Sequence, residues 1–216
     1  MRKALFYILY VLSPSVPAAL YAKATAGGSF AYSLSVTLGV STLVFLLNQF
    51  ILASKPSFVL KALGAKSLIR LHGVMPLLIL AMALAHRTLK ASMGFPLSSF
   101  QAILGTAAWI LVAIGAVLAL ALMMPLGDKA MAKVRTLRER AKAKLGLDYK
   151  RSRTFHNLMV AAALALMSHA LIASTASFAY NAIGALWLIL WAAFSLGLYV
   201  AYRLRGRKNA QQAGAR

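Results

Sequence analysis

The chain of 216 residues contains no cysteine. It therefore cannot form a disulfide, and it cannot bind a metal or an iron–sulfur cluster through thiolates. Any redox centre that it holds would depend on nitrogen or methionine ligands. Acidic residues are almost absent as well, with three against 24 Lys and Arg, and the formal net charge is +21. All three, Asp128, Glu139 and Asp148, lie in one polar stretch. The apolar runs therefore lack the carboxylates that membrane proton relays and cation sites usually use.

Apolar residues dominate the chain instead: 61% of its residues are hydrophobic, and its mean hydropathy is +0.75. Several uncharged runs reach about 18 residues or more, the length expected of membrane-spanning helices. Such runs must be helical, because the bilayer core contains no water that could hydrogen-bond to unpaired backbone N–H and C=O groups. The sequence therefore predicts an all-α, polytopic membrane protein. The positive charge lies mostly in the links between these runs, where it sets topology and contacts membrane lipid, so we expect no nucleic-acid partner.

Six transmembrane helices are predicted, and they form one bundle over residues 1–205. Pro14 and Pro17 interrupt the first helix, which is expected to be kinked and retained, although a cleaved signal peptide would have a similar basic start. The fourth helix is followed by a basic loop at 125–153, and residues 206–216 form a polar tail. The predicted bounds are about 1–22, 30–54, 67–89, 100–124, 154–176 and 182–202, with a short basic loop at 55–66.

The distribution of positive charge predicts the orientation of the bundle. If the N terminus is cytoplasmic, only Lys23, Arg87 and Lys90 of the 24 Lys and Arg fall on the outer side. The positive-inside rule therefore places both termini in the cytoplasm. We expect a multi-pass protein of a bacterial-type plasma (inner) membrane.

The four histidines of the chain form two pairs. His72 and His86 bracket the run LHGVMPLLILAMALAHRTLK, and His156 and His169 bracket FHNLMVAAALALMSHALIAS. Spacings of 14 and 13 residues separate the members of each pair by roughly 20 Å along a helix, which gives two levels in the membrane. The third and fifth helices run in the same direction, so His72 and His156 share the inner level, and His86 and His169 the outer. Since a heme iron takes one imidazole from each side of the porphyrin, this is the arrangement of two stacked hemes.

Two observations count against pairing the histidines across the third and fifth helices as heme ligands. A histidine in a bundle can also serve only to hydrogen-bond a neighbouring helix. At 100° per residue, 14 residues return within about 40° of the starting face, whereas 13 residues end about 140° away. The fifth helix therefore needs a bend or a local change of winding, and Pro76 gives the third helix a bend of its own.

Histidines at these spacings on the third and fifth of six helices, with RSRTFHN before the fifth, resemble the ferric reductase-like transmembrane domain. Ferric reductases, NADPH oxidases and bacterial MsrQ-type heme subunits share this domain, and the resemblance covers about residues 30–205. It implies that His72 with His156 ligates an inner heme b, and that His86 with His169 ligates an outer one. Oxidases and many ferric reductases continue into FAD- and NAD(P)H-binding domains, whereas this chain has no GxGxxG fingerprint. A separate flavoprotein or a quinone is therefore expected as the cytoplasmic donor.

Four basic residues are candidates for pairing with heme propionates. Arg70 and Arg153 precede the inner histidines, and Arg87 and Lys90 follow His86. The positive-inside rule accounts for the two inner residues without a ligand. The two outer residues run against that rule, which favours a binding role for them.

The first functional hypothesis is a di-heme b-type cytochrome, a membrane oxidoreductase subunit that carries electrons from an inner donor to an external acceptor. The second is a transporter that moves protons or metal ions along a histidine-lined path. The third is a heme-free membrane scaffold whose basic loop contacts anionic lipid. Only the first requires a Soret band.

Overall fold

The computed structural model describes residues 2–122, 136, 140 and 157–214. Throughout these residues every regular element is a helix. A 3₁₀ turn, Ser174–Ala176, separates the last two α-helices. The α-helices are α1 (Arg2–Leu12), α2 (Ser15–Ala24), α3 (Phe30–Ser54), α4 (Ser57–Ser92), α5 (Phe100–Leu122), α6 (Leu158–Ile172) and α7 (Phe178–Gly214).

Five helical segments of the described residues are long and apolar enough to cross a membrane. The chain is thus an all-helical protein with the character of a multi-pass membrane protein. The described part of α6 is also apolar but has 15 residues, so a sixth span stays a prediction. The five segments are Arg2–Ala24, Phe30–Ser54, Ser57–Ser92, Phe100–Leu118 and Phe178–Arg205.

Breaks within the helices follow local chemistry, and the extent of helix differs from the sequence prediction at two places. Pro14 lies between α1 and α2, where the kink was expected. The predicted loop at 55–66 is instead helical from Ser57, with one break at Gly64, whose φ of 71° suits glycine. The last helix breaks at Asn181 and then continues to Gly214, so the predicted polar tail is helical through that residue.

Helix α3 is the centre of the bundle and packs against α2, α4 and α7. Its side chains are buried on every face from Thr42 to Leu52, as expected of a helix that is apolar all round. The buried side-chain amides of Asn48 and Gln49 form hydrogen bonds that connect α3 to the N-terminal part of the chain. The Asn48 amide nitrogen donates to Ser13 Oγ at 2.7 Å, and the Gln49 amide nitrogen donates to Tyr10 Oη at 2.7 Å. These bonds attach the N-terminal helix to the centre of the protein.

Two helical hairpins meet at one end of the bundle. Helices α3 and α4 form the first, and α5 and α6 form the second, which also contacts α4. The link between α4 and α5, residues 93–99, marks this end. Tyr32 at the start of α3 stacks on Phe95 of the link, with ring centres 5.8 Å apart. We refer to this region as the 93–99 end.

Candidate functional site

A cavity lies at the 93–99 end, between the two hairpins. Four of the eight residues proposed from the sequence line it: His86, Arg87, Lys90 and His169. The rest of its wall is mostly apolar and comes from α2 to α6 and from the segment before α7. An apolar cavity with a few convergent polar groups is the usual form of a cofactor site.

His86 is fixed against α3 by a reciprocal pair of hydrogen bonds to one residue. Its Nδ1 lies 2.7 Å from the carbonyl oxygen of Ser35, to which it donates. The Ser35 hydroxyl in turn donates to the backbone carbonyl of His86 at 3.3 Å. One turn further along α3, Gly39 lets the imidazole lie against the helix backbone, since a Cβ there would lie 3.0 Å from Nδ1 and Cε1 of His86.

His169 is fixed against α5 in the same way. Its Nδ1 donates to the carbonyl oxygen of Gln101 at 2.7 Å, and the Gln101 amide nitrogen donates to the carbonyl oxygen of His169 at 3.3 Å. Gly105, again one turn further along, faces the ring. A Cβ at Gly105 would lie 2.9 Å from Nδ1 of His169. Each hairpin therefore holds one histidine with the same three elements: a backbone carbonyl, a side-chain donor and a glycine four residues later.

The hydrogen bonds determine which ring nitrogen is available to a ligand. Because a backbone carbonyl can only accept, each Nδ1 must carry the ring proton, and each Nε2 then carries the lone pair. A hydrogen bond of this kind orients metal-binding histidines in general. The two imidazoles lie on one cavity with ring centres 6.1 Å apart and planes at 89°.

The separation of the two ring centres is one that two imidazoles bound to the same metal atom would have. With a metal–nitrogen bond of about 2 Å and about 1 Å from Nε2 to the ring centre, two axial imidazoles have centres about 6 Å apart. Direct edge-to-face contact of two rings covers a similar range of distances. The reciprocal hydrogen bonds and the two glycines favour the ligand role, because they orient both rings and leave both Nε2 atoms unused by Ser35 and Gln101.

The two basic residues of the cavity are held by uncharged groups. The Arg87 guanidinium donates to the hydroxyl of Thr106 on α5. The Lys90 ammonium contacts two stacked rings, 3.9 Å from the centre of Tyr32 and 4.1 Å from that of Phe95. The part of the chain that the structure describes contains no Asp or Glu, so no carboxylate from these residues balances either cation.

Two of the other four proposed residues, His72 and Arg70, do not line this cavity. His72 is half-buried on α4, and Arg70 is exposed two residues earlier. Side chains two residues apart leave a helix on nearly opposite sides, so Arg70 does not face the same way as His72. His156 and Arg153 lie outside the described residues. Within the described ranges, His, Asp and Glu do not form a group of three that could hold a metal ion.

Sequence reasoning missed the residues that support the two histidines. Ser35, Gly39, Gln101 and Gly105 were not proposed. A signal was present: two apolar helices each carry a polar residue followed by a glycine at the fourth position, SVTLG at 35–39 and QAILG at 101–105. Small residues of this kind mark close helix contacts in membranes.

Comparison with known proteins identifies no relative. The chain matches no protein-family model, no curated protein and no solved structure. The ferric reductase-like resemblance therefore has no support beyond the residues that suggested it. The geometry of the cavity is the basis for any function assigned to the chain.

Proposed function

We propose that the chain is a membrane-embedded b-type cytochrome, in which His86 and His169 would together hold one heme b. The observation that carries this proposal is the pair of imidazoles facing one cavity, each with Nδ1 bound to a backbone carbonyl. Two neutral imidazoles supply both axial ligands and bring no charge into the membrane. When bound, the heme supplies one-electron redox chemistry.

The protein's part in this chemistry is to hold and orient the group. Ser35 and Gln101 fix the tautomers and directions of the two rings, while Gly39 and Gly105 give the rings space against α3 and α5. Arg87 and Lys90 lie at the same cavity and offer positive charge to propionates. A negatively charged ligand edge would balance the two cations, which among the described residues are held by Thr106 and by aromatic rings.

A second heme b is proposed between His72 and His156, as the resemblance implies. His72 precedes His86 by 14 residues on α4, which corresponds to about 21 Å along an ideal helix. Two hemes at that separation would divide electron transfer across a hydrocarbon core about 30 Å thick into shorter steps. We propose that electrons enter at the cytoplasmic side from a flavoprotein or quinone and leave at the 93–99 end to an external acceptor.

The two competing functions lack a comparable observation. A metal-ion transporter needs several ligands at one point, whereas the cavity presents two histidines and positively charged Arg87 and Lys90, which repel cations. A scaffold without heme gives no reason for both hairpins to orient a histidine toward one cavity. The cytochrome accounts for these features together.

The absorption spectrum of the purified full-length protein tests the proposal. We expect a Soret band, and the split bands of low-spin b-type heme after reduction. His86→Ala and His169→Ala should each lower the heme-to-protein ratio, and added imidazole should restore binding by replacing the lost ligand. A protein that stays colourless when produced with ample heme would refute the proposed function.

A further inference from the structure

Tyr21 is a buried residue of the cavity wall that no part of the proposed mechanism has used. It lies near the C-terminal end of α2, and its side chain is 2% exposed. Its hydroxyl oxygen is buried and forms no hydrogen bond with the residues that the structure describes. Tyr10, on α1, shows the usual arrangement, because its hydroxyl accepts a hydrogen bond from Gln49. Buried hydroxyl groups are normally paired, so the Tyr21 hydroxyl needs an explanation.

The position of the Tyr21 ring is fixed by its surroundings. It packs in one apolar cluster with Val36, Val40 and Leu43 of α3. These three residues also line the cavity and flank Gly39, against which the His86 ring lies. The Thr25 hydroxyl donates to the Tyr21 carbonyl at 3.0 Å and helps to end α2 at this point. The phenol therefore belongs to the same wall as the His86 support.

We propose that Tyr21 is a ligand-binding residue whose hydroxyl donates a hydrogen bond to a carboxylate of the group that fills the cavity. This inference rests on the proposed function, since the carboxylates in question are the two propionates of heme b. A phenol is a donor, and a donor aimed at a carboxylate forms one of the stronger hydrogen bonds in proteins. Arg87 and Lys90, which line the same cavity, favour an anionic ligand edge, and Tyr21 adds a neutral donor.

Loss of the hydroxyl should weaken ligand retention and change the redox potential. Hydrogen bonds to charged groups are stronger than those between neutral groups, so Tyr21→Phe should release heme at least about tenfold faster than the wild type. A donor to the carboxylate also withdraws negative charge from the neighbourhood of the iron. Its removal disfavours the electron-rich ferrous form, so the midpoint potential should fall.

The experiment compares the full-length wild type with Tyr21→Phe in detergent, each loaded with heme b or with its dimethyl ester, which lacks free carboxylates. Heme loss to excess apomyoglobin is followed by absorbance, and midpoint potentials are measured by redox titration. Tyr180→Phe is the matched control, because that residue is 69% exposed and its phenol lies outside the cavity.

We expect faster heme loss and a lower potential in Tyr21→Phe with heme b, and a clearly smaller difference with the dimethyl ester, whose carbonyl oxygens are uncharged and weaker acceptors. Equal retention and equal potential with heme b would overturn the inference. A difference that is equally large with the dimethyl ester would also overturn it, because the hydroxyl would then not act on a carboxylate. Failure of the wild type to bind either heme would instead refute the proposed function, and the inference with it.

Discussion

Gly105→Ala is the substitution that tests the histidine supports most sharply. The added Cβ would lie 2.9 Å from Nδ1, 3.0 Å from Cε1 and 3.4 Å from Cγ of His169. Non-bonded contacts of this kind are most favourable at about 3.5 Å or more. The imidazole must therefore move by roughly 0.6 Å, away from α5 and from the carbonyl oxygen of Gln101. The 2.7 Å hydrogen bond between Nδ1 and that oxygen would lengthen by up to this amount, toward or past the upper end of the usual range for N–H···O bonds.

The expected size of the effect follows from two opposing terms. Alanine is favoured over glycine in a helix interior by about 0.8–1.0 kcal/mol, so the substitution alone should stabilise α5. Weakening the hydrogen bond that orients a metal ligand typically lowers metal affinity about 10–100-fold. We therefore expect Gly105→Ala to fold with near-native stability but to retain heme 10–100-fold less tightly.

The assay is the heme-to-protein ratio of the purified variant together with its rate of heme loss. Gly197→Ala is the matched control, because that glycine lies within α7 and nothing lies within 4 Å of its Cβ position. The control should keep the wild-type heme content. Wild-type heme retention in Gly105→Ala would refute the view that this glycine makes room for a ligand.

Three further predictions concern the ligands, the topology and the N-terminal helix. If the chain holds two hemes, His86→Ala should lose about half of the heme. Any heme left at that site should bind carbon monoxide, which the wild type should not do if two histidines hold the iron; full heme content would contradict the ligand assignment. Reporters placed near Gly146 and after Arg216 should be cytoplasmic, and one near Gly94 should be external. A cytoplasmic Gly94 would exchange the inner and outer histidine pairs. Asn48→Ala removes two side-chain hydrogen bonds and should lower stability by about 1–2 kcal/mol in thermal unfolding, whereas an unchanged midpoint would show that α1 does not depend on this cross-link.

Helix positions could be predicted where local chemistry marks their ends. Helix α3 runs from Phe30 to Ser54, as predicted, because both termini have clear signals. The Ser29 hydroxyl accepts from the backbone N–H of Tyr32, and Lys55 adopts a left-handed conformation before Pro56. The start of α4 was misjudged because proline and basic residues at 55–66 are typical of a loop, although proline also commonly precedes a helix.

The pairing of the histidines by their depth in the membrane could be inferred from helix direction and spacing. His86 and His169, which this inference paired, do line one cavity. That they bind a metal stays a prediction. The supporting contacts could not be inferred, because they depend on the rotation of each helix about its axis. In a membrane protein the lipid and the protein interior are both apolar, so hydrophobic periodicity does not reveal which face of α3 or α5 points inward. The carbonyls of Ser35 and Gln101 became visible as acceptors only in the structure.

The electron paramagnetic resonance spectrum of the oxidised protein tests most directly whether His86 and His169 together hold one heme iron, which is the central claim. In low-spin ferric heme, parallel imidazole planes separate the energies of the two iron d orbitals that share the unpaired electron, whereas perpendicular planes leave them nearly equal. Since the two rings lie at 89°, we predict a strongly anisotropic low-spin signal with an unusually large highest g value, and its loss in His169→Ala. The claim would be contradicted by a purely high-spin spectrum, or by a low-spin signal that His169→Ala leaves unchanged.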